Sequence, residues 1–438
     1  MKRNIEKHLL EWKSDTERKV LLVRGARQVG KTYSIRELGK RFKYFLEINF
    51  EETPDAKHFF ERTRNPHELC EKLSIFFDTP IIPNETLLFL DEIQACTGAL
   101  KSLRFFYEKM PELHVAAAGS LLEFALEEIP SFGVGRIASL FMYPMTFSEY
   151  LIASGSEIME GAIRKASAQN PMDPVIHAKI LDKLKRFLLI GGMPEAVASY
   201  LKHRDLRRCQ KVLDHLITSI IDDFAKYKKR SPVSKLEEVF YSVVQQAGGK
   251  FKYSKVSPDG GGTSGYKEAL NLLIKAGIAH RICHSSAQGV PLGAQMNQKR
   301  FKVLPMDTGI YQRLLGLDLS QYIISDFQSL INRGSLSELF VGIELISHQS
   351  PFLHPQLHYW HREAKSSNAE VDYVVASGSR IIPIEVKAGT KGQMQSLHLF
   401  LKERNLPWGL RISGENFSAY QNIRTLPLYA ISQSLTLY

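Results

Sequence analysis

The stretch that most restricts the fold of this chain is GARQVGKT at residues 25–32, which fills every fixed position of the phosphate-binding pattern G-x-x-x-x-G-K-[ST]. Such a loop works only between a buried strand and a helix, because its backbone N–H groups must curl around a polyphosphate while the following helix adds its positive end. Both neighbours are present. Lys19–Arg24 is an apolar run suited to a strand, and residues from Tyr33 to Phe42 are compatible with a helix. Gly25, Gln28 and Gly30 are expected to shape the cradle, Lys31 to reach the β- and γ-phosphates, and Thr32 to hold Mg²⁺. ATP with Mg²⁺ is the expected cofactor pair.

A second motif follows at the right distance. Thr86–Asp91 is an apolar strand ending in the carboxylate pair Asp91-Glu92. Open α/β sheets bind ligands at the carboxyl ends of their strands, so Asp91 is placed to bind Mg²⁺ and Glu92 to orient and deprotonate an attacking water. From Lys19 to about residue 152, strands and amphipathic helices alternate, which implies a mainly parallel α/β nucleotide-binding domain. The strand His114–Ala118 runs into Gly119-Ser120, and Ser120 is suited to cap a helix. Arg136, after Gly135, is a candidate arginine finger, a group that stabilises the transferred phosphoryl and ties hydrolysis to a homo-oligomer when a neighbour supplies it.

Residues 153–230 read as helical, broken at Gly191-Gly-Met-Pro194, and suit a lid. From 231 to 316 come two helices, a glycine-rich loop at 258–262, a helix over Tyr266–Ala276, and β-like stretches Ile278–Cys283 and Arg300–Leu304. That order fits a winged helix-turn-helix. Between Lys226 and Lys302 stand 14 Lys or Arg against four acids, nearly the whole formal charge of +11. A local basic excess of this size is the expected footprint of a phosphate backbone, so DNA is the expected macromolecular partner.

The last segment, 325–438, carries a nuclease-like set. Asp372 and Glu385 are expected to share a divalent metal, Mg²⁺ or Mn²⁺, with Glu338 nearby from the preceding helix, and Lys387 to position the attacking water. Glu385 and Lys387, two apart on one strand, share a face. Asp372 meets them across a hairpin turned at residues 377–379.

Cys70, Cys96, Cys209 and Cys283 form no C-x-x-C pair, so they suggest neither a zinc ribbon nor a disulfide framework. The charged amino terminus has no signal-like apolar region, and no apolar run approaches the ~18 residues of a membrane helix. A cytoplasmic protein without membrane contact is the expectation.

The order of motifs resembles a prokaryotic family of AAA-type ATPases with a winged helix-turn-helix and a C-terminal PD-(D/E)xK nuclease-like domain. The carriers are GARQVGKT, LLFLDEIQ at 87–94, AAGS at 117–120, GR at 135–136, YPMTFSEYL at 143–151, GGMPEA at 191–196, PMDTGIY at 305–311, GSLSELFV at 334–341, EVDYVV at 370–375 and PIEVKAG at 383–389. The resemblance implies an AAA-type core over 1–152 and a restriction-endonuclease-like α/β fold at the end. It further implies a γ-phosphate-sensing role for Ser120, and ATP hydrolysis coupled to DNA binding and metal-dependent cleavage. The alternative is a nucleotide-dependent switch, or DNA-bound regulator, whose nuclease-like domain is inactive. Tyr33 departs from the family, where a smaller residue follows the loop.

Overall fold

The computed structural model describes residues 1–119, 123, 126, 135–228, 230–257, 263–318, 334–362, 368–387 and 394–435. Ser120 and the glycine-rich loop 258–262 lie outside them. The chain divides into two units, residues 1–143 with 350–354, and residues 144–349 with 355–438.

The first unit is built on five parallel strands in the order β2-β3-β4-β1-β5: β1 (Val20–Arg24), β2 (Tyr44–Asn49), β3 (Thr86–Asp91), β4 (His114–Ala118) and β5 (Ile137–Phe141). β3 and β4 are buried along their whole length, as apolar strands covered on both faces must be. Leu22, Ile48, Leu88 and Leu90 pack against Phe60, Leu103 and Phe106 from the flanking helices. Each such side chain contributes about 1.5–3 kcal/mol by leaving water.

Gly25 leaves β1 at φ +138°, and a Cβ there would lie 2.1 Å from the Met142 carbonyl oxygen, so only glycine lets the loop pass the end of β5. Helix Lys31–Gly39 starts directly from Gly30.

The second unit combines helices with one mixed sheet. Its strands are β6 (Ala279–Ser285), β7 (Met296–Pro305), β8 (Leu357–His361), β9 (Glu370–Ser377), β10 (Arg380–Val386), β11 (Gly409–Ser413), β12 (Ser418–Tyr420) and β13 (Ile423–Pro427), in the order β12-β13-β11-β10-β9-β8-β6-β7. β6 and β7 pair as an antiparallel hairpin, and β6 also pairs in parallel with β8. Residues from either side of position 320 therefore share one sheet.

Three motifs with no assigned chemistry meet inside this unit. The carboxylate of Asp307 accepts from Gly192 N at 2.6 Å and caps helix Thr308–Leu314 through Ile310 N at 3.0 Å. Gly192 O in turn accepts from Met145 N at 2.7 Å. Gly191 is fixed by the same contact, since a Cβ would fall 2.2 Å from Asp307 Oδ1. Beside them Thr146 and Glu149 form a capping box on helix Phe147–Ala153, and Phe147 N donates to the buried carboxylate of Glu344 at 2.7 Å. YPMTFSEYL, GGMPEA and PMDTGIY thus have a structural use: each supplies backbone or carboxylate to one buried junction.

Candidate functional site

The phosphate loop is braced by its own side chains and backbone. Lys31 Nζ donates to the carbonyls of Gly25 at 3.0 Å and Ala26 at 2.7 Å, curling the ammonium back over its own loop. Burial lowers its pKa to about 8, against the opposing pull of Glu92 and Asp91. Gln28, exposed and at φ +62°, forms the outer bend. Arg3 adds a support that the sequence hid, because an arginine near a charged terminus reads as solvated. Its buried guanidinium donates to Val29 O and to Tyr143 O, both at 2.7 Å.

Thr32 Oγ1 donates to Asp91 Oδ2 at 2.9 Å, and Asp91 Oδ1 accepts from Glu92 N at 3.0 Å. Burial raises the Asp91 pKa, and these two hydrogen bonds oppose the rise. Glu92, at φ +46°, follows the strand end and takes a hydrogen bond from Gln94. A hydroxyl and a carboxylate side by side are the hard oxygen donors that Mg²⁺ prefers, so the residues present fit a Mg²⁺-nucleotide. Tyr33 points out, half exposed, with its hydroxyl accepting from the Met1 amine at 2.7 Å.

β4 ends at Ala118, beside Val23 of β1. Arg136 stands at the other end of the sheet. β5 begins opposite Val20, whereas the loop leaves β1 after Arg24, so the start of β5 lies roughly 15 Å along the strands from its own phosphate loop. The Arg136 guanidinium pairs with Glu108.

In the second unit, β9 and β10 turn at Gly378-Ser379 and pair Tyr373 with Ile384, which sets Asp372 and Glu385 close. Asp372 Oδ2 accepts from Val386 N at 2.8 Å, and Lys387 Nζ donates to Glu385 Oε1 at 2.7 Å. Helix Gly334–Ser347 brings Glu338 to the same place, with Tyr373 Oη donating to the Glu338 carbonyl at 2.7 Å. Asp372, Glu385 and Lys387 thus lie together on the β9–β10 pair, with Glu338 within electrostatic reach of Asp372, and the four form one carboxylate pocket with its lysine.

Lys302, at the end of the basic segment 226–302, joins them. Its side chain is 1% exposed, and its Nζ lies 2.8 Å from Glu338 Oε1 and 2.6 Å from Glu370 Oε1. Burial opposes its charge, but Glu338, Asp372 and Glu370 outweigh burial and raise the pKa. Burial pushes Glu338, Asp372 and Glu385 upward as well. Among the described residues, no group of three His, Cys, Asp or Glu is arranged to hold a metal ion.

Other basic residues of 226–302 are also engaged. Arg281 lies over the Phe301 ring and donates to Asn271, and Lys235 lies over Tyr266. Lys252, Lys255, Lys267, Lys275, Lys299 and Arg300 are exposed. Among the described residues no helix is long and apolar enough to cross a membrane.

Comparison with known families agrees with the first unit. Residues 17–151 match the model of an AAA domain, so an AAA-type P-loop ATPase domain occupies this part of the chain. Residues 181–321 and 333–431 match two domains of unknown function, DUF8612 and DUF4143. No curated protein matches. Among solved structures, the chain is similar to a Walker-type ATPase of Pyrococcus abyssi, at 16% identity and a TM-score of 0.45 over 72% of this chain and 95% of that one. It is also similar to the ORC1 protein of Aeropyrum pernix, solved in complex with DNA, at 14% identity and a TM-score of 0.31 over 72% and 93%. A STAND-type signal transduction ATPase of Pyrococcus horikoshii with a tetratricopeptide repeat sensor follows, at 9% identity and a TM-score of 0.27 over 79% and 45%.

Proposed function

We propose that this protein hydrolyses ATP with Mg²⁺ and uses the nucleotide state to control DNA binding, with a nuclease-like C-terminal domain that binds without cleaving. The observation that carries the ATPase reading is the Thr32–Asp91 hydrogen bond beside Lys31. Bound Mg²⁺-ATP supplies a polarised γ-phosphoryl group. Lys31 would stabilise its negative oxygens, Thr32 and Asp91 would hold the metal, and Glu92 would take the proton of the attacking water. Ser120 senses the γ-phosphate, and Arg136, remote from its own loop, serves a neighbouring subunit. Lys31, Thr32 and Glu92 belong to one active centre, so phosphate release is expected from the wild type and not from Lys31→Ala or Glu92→Gln. Glu92→Gln retaining full turnover would overturn the assignment of the base.

The exposed basic side chains around helix Thr263–Lys275 support the DNA reading, with that helix and the β6–β7 hairpin as a winged helix-turn-helix over 231–316, after a helical lid at 153–230. Mobility of DNA fragments with ATP or ADP, over a range of salt, tests it; steep salt dependence is expected. The gathering of Asp372, Glu385 and Lys387 supports a PD-(D/E)xK-like fold over 325–438. The Lys302 ion pairs favour binding over cleavage, so plasmid DNA incubated with Mg²⁺ or Mn²⁺ should stay intact.

A further inference from the structure

We infer that Lys302 is the resident cation of the carboxylate pocket, its ammonium standing where a divalent metal ion would otherwise bind. The inference rests on the nuclease-like reading of Glu338, Asp372 and Glu385 proposed above, and assigns what excludes metal from that site.

Three observations carry it. First, Lys302 comes from β7, on the hairpin that precedes the domain, and reaches the pocket across the sheet: Nζ makes 2.8 and 2.6 Å contacts with Glu338 and Glu370. Second, its stem is fixed in place: the ammonium lies 5.3 Å from the Tyr359 ring centroid, and its backbone bridges to Lys250. Third, the pocket keeps one acceptor unused. Glu385 is 5% exposed, and its Oε2 has no hydrogen-bond partner among the described residues, while Oε1 is taken by Lys387.

A buried carboxylate oxygen without a partner is costly, and a cation is what such an oxygen lacks. Glu338 has already spent an oxygen on Lys302, and Asp372 has spent one on Val386 N. A metal ion entering beside the ammonium would meet its charge at close range in a water-poor site. The two cations therefore exclude one another.

The test is Mn²⁺ binding to the nucleotide-free full-length chain, followed by the electron paramagnetic resonance signal of free Mn²⁺. An Asp91→Asn background removes the ATP-site ligand from the reading. The parent should bind no stoichiometric Mn²⁺. Lys302→Met should acquire one site, at least about tenfold tighter, and lose it again when Glu385→Gln is added. Lys302→Arg should still exclude the metal. If Lys302→Met does not fold, Lys302→Gln decides, because it also removes the ammonium while keeping a donor for Glu338 and sparing every acid.

Parent and Lys302→Met binding Mn²⁺ equally would overturn the inference and leave a metal site standing. Folded Lys302→Met and Lys302→Gln that both bind nothing would overturn the nuclease-like reading itself, and the inference with it.

Discussion

Thr32 donates its hydroxyl hydrogen to Asp91 across 2.9 Å, joining the last residue of the phosphate loop to the last residue of β3 although 59 positions separate them. The bond holds two oxygen donors together in a centre from which burial would otherwise favour a protonated carboxyl. Asp91→Asn keeps an acceptor for Thr32 but removes the charge that a metal ion needs. Phosphate release should therefore fall at least about a hundredfold, while ATP affinity without metal changes little. Steady-state hydrolysis and metal-free titration of a fluorescent ATP analogue measure the two separately.

Lys31 makes nucleotide binding sensitive to pH in an unusual direction. Within its loop burial lowers the pKa to about 8, so the side chain is largely neutral above that value; a bound polyphosphate favours the ammonium and raises the pKa again. ATP binding should take up protons between pH 8 and the ordinary lysine value, and affinity should weaken as pH rises through this range. Calorimetry in buffers of different ionisation heat gives the proton count directly. Lys31→Ala should show no such uptake and should bind roughly 30-fold more weakly, as expected for a lost charged hydrogen bond of about 2 kcal/mol.

Arg136 sits at the wrong end of its own sheet to reach its own phosphate loop. Arg136→Ala should thus cut turnover roughly a thousandfold without touching ATP affinity. Mixing it with Lys31→Ala should restore part of the activity, since one partner offers an intact loop and the other an intact arginine. No recovery in mixed samples, with light scattering showing only monomers, would remove the role in a neighbour.

Glu344 predicts a pH effect on folding. Complete burial raises its pKa to about 7 from an ordinary glutamate value, while His348 and the Phe147 N–H pull it back. Between those two values the folded chain holds a proton that the unfolded chain has lost, so stability falls as pH rises through the window, by up to about 3 kcal/mol. Glu344→Gln keeps an acceptor for Phe147 N and should flatten this slope. Urea unfolding at pH 5 and pH 7 compares the two proteins.

What could be read in advance follows from how local the cause is. β1 and β3 announce themselves because four consecutive apolar residues must be buried, and the loop between β1 and its helix is fixed by Gly25, where the Met142 carbonyl forbids a Cβ, and by Gly30 at φ +97°. Asp372, Glu385 and Lys387 could be paired on paper, since strand alternation and a short turn determine which face each takes. Lys302 could not. A lysine between Phe301 and Val303 looks like the solvent side of a strand, and only the pairing of β6 with β8 turns that side toward Glu338 and Glu370. Arg3 was hidden for the same reason, because its partners are backbone carbonyls at positions 29 and 143.

Joining β6 to β8 also has a consequence for how the chain can be divided. The two segments that match separate families meet in one sheet, and Glu338 and Glu370 of the later segment pair with an ammonium from the earlier one. A fragment cut near residue 333 would carry Glu338, Glu370, Asp372 and Glu385 without Lys302, and would bare the hydrogen-bonding edge of β8 to any passing strand. The two segments therefore complete one hydrogen-bonded sheet between them, across the boundary that separates their family matches.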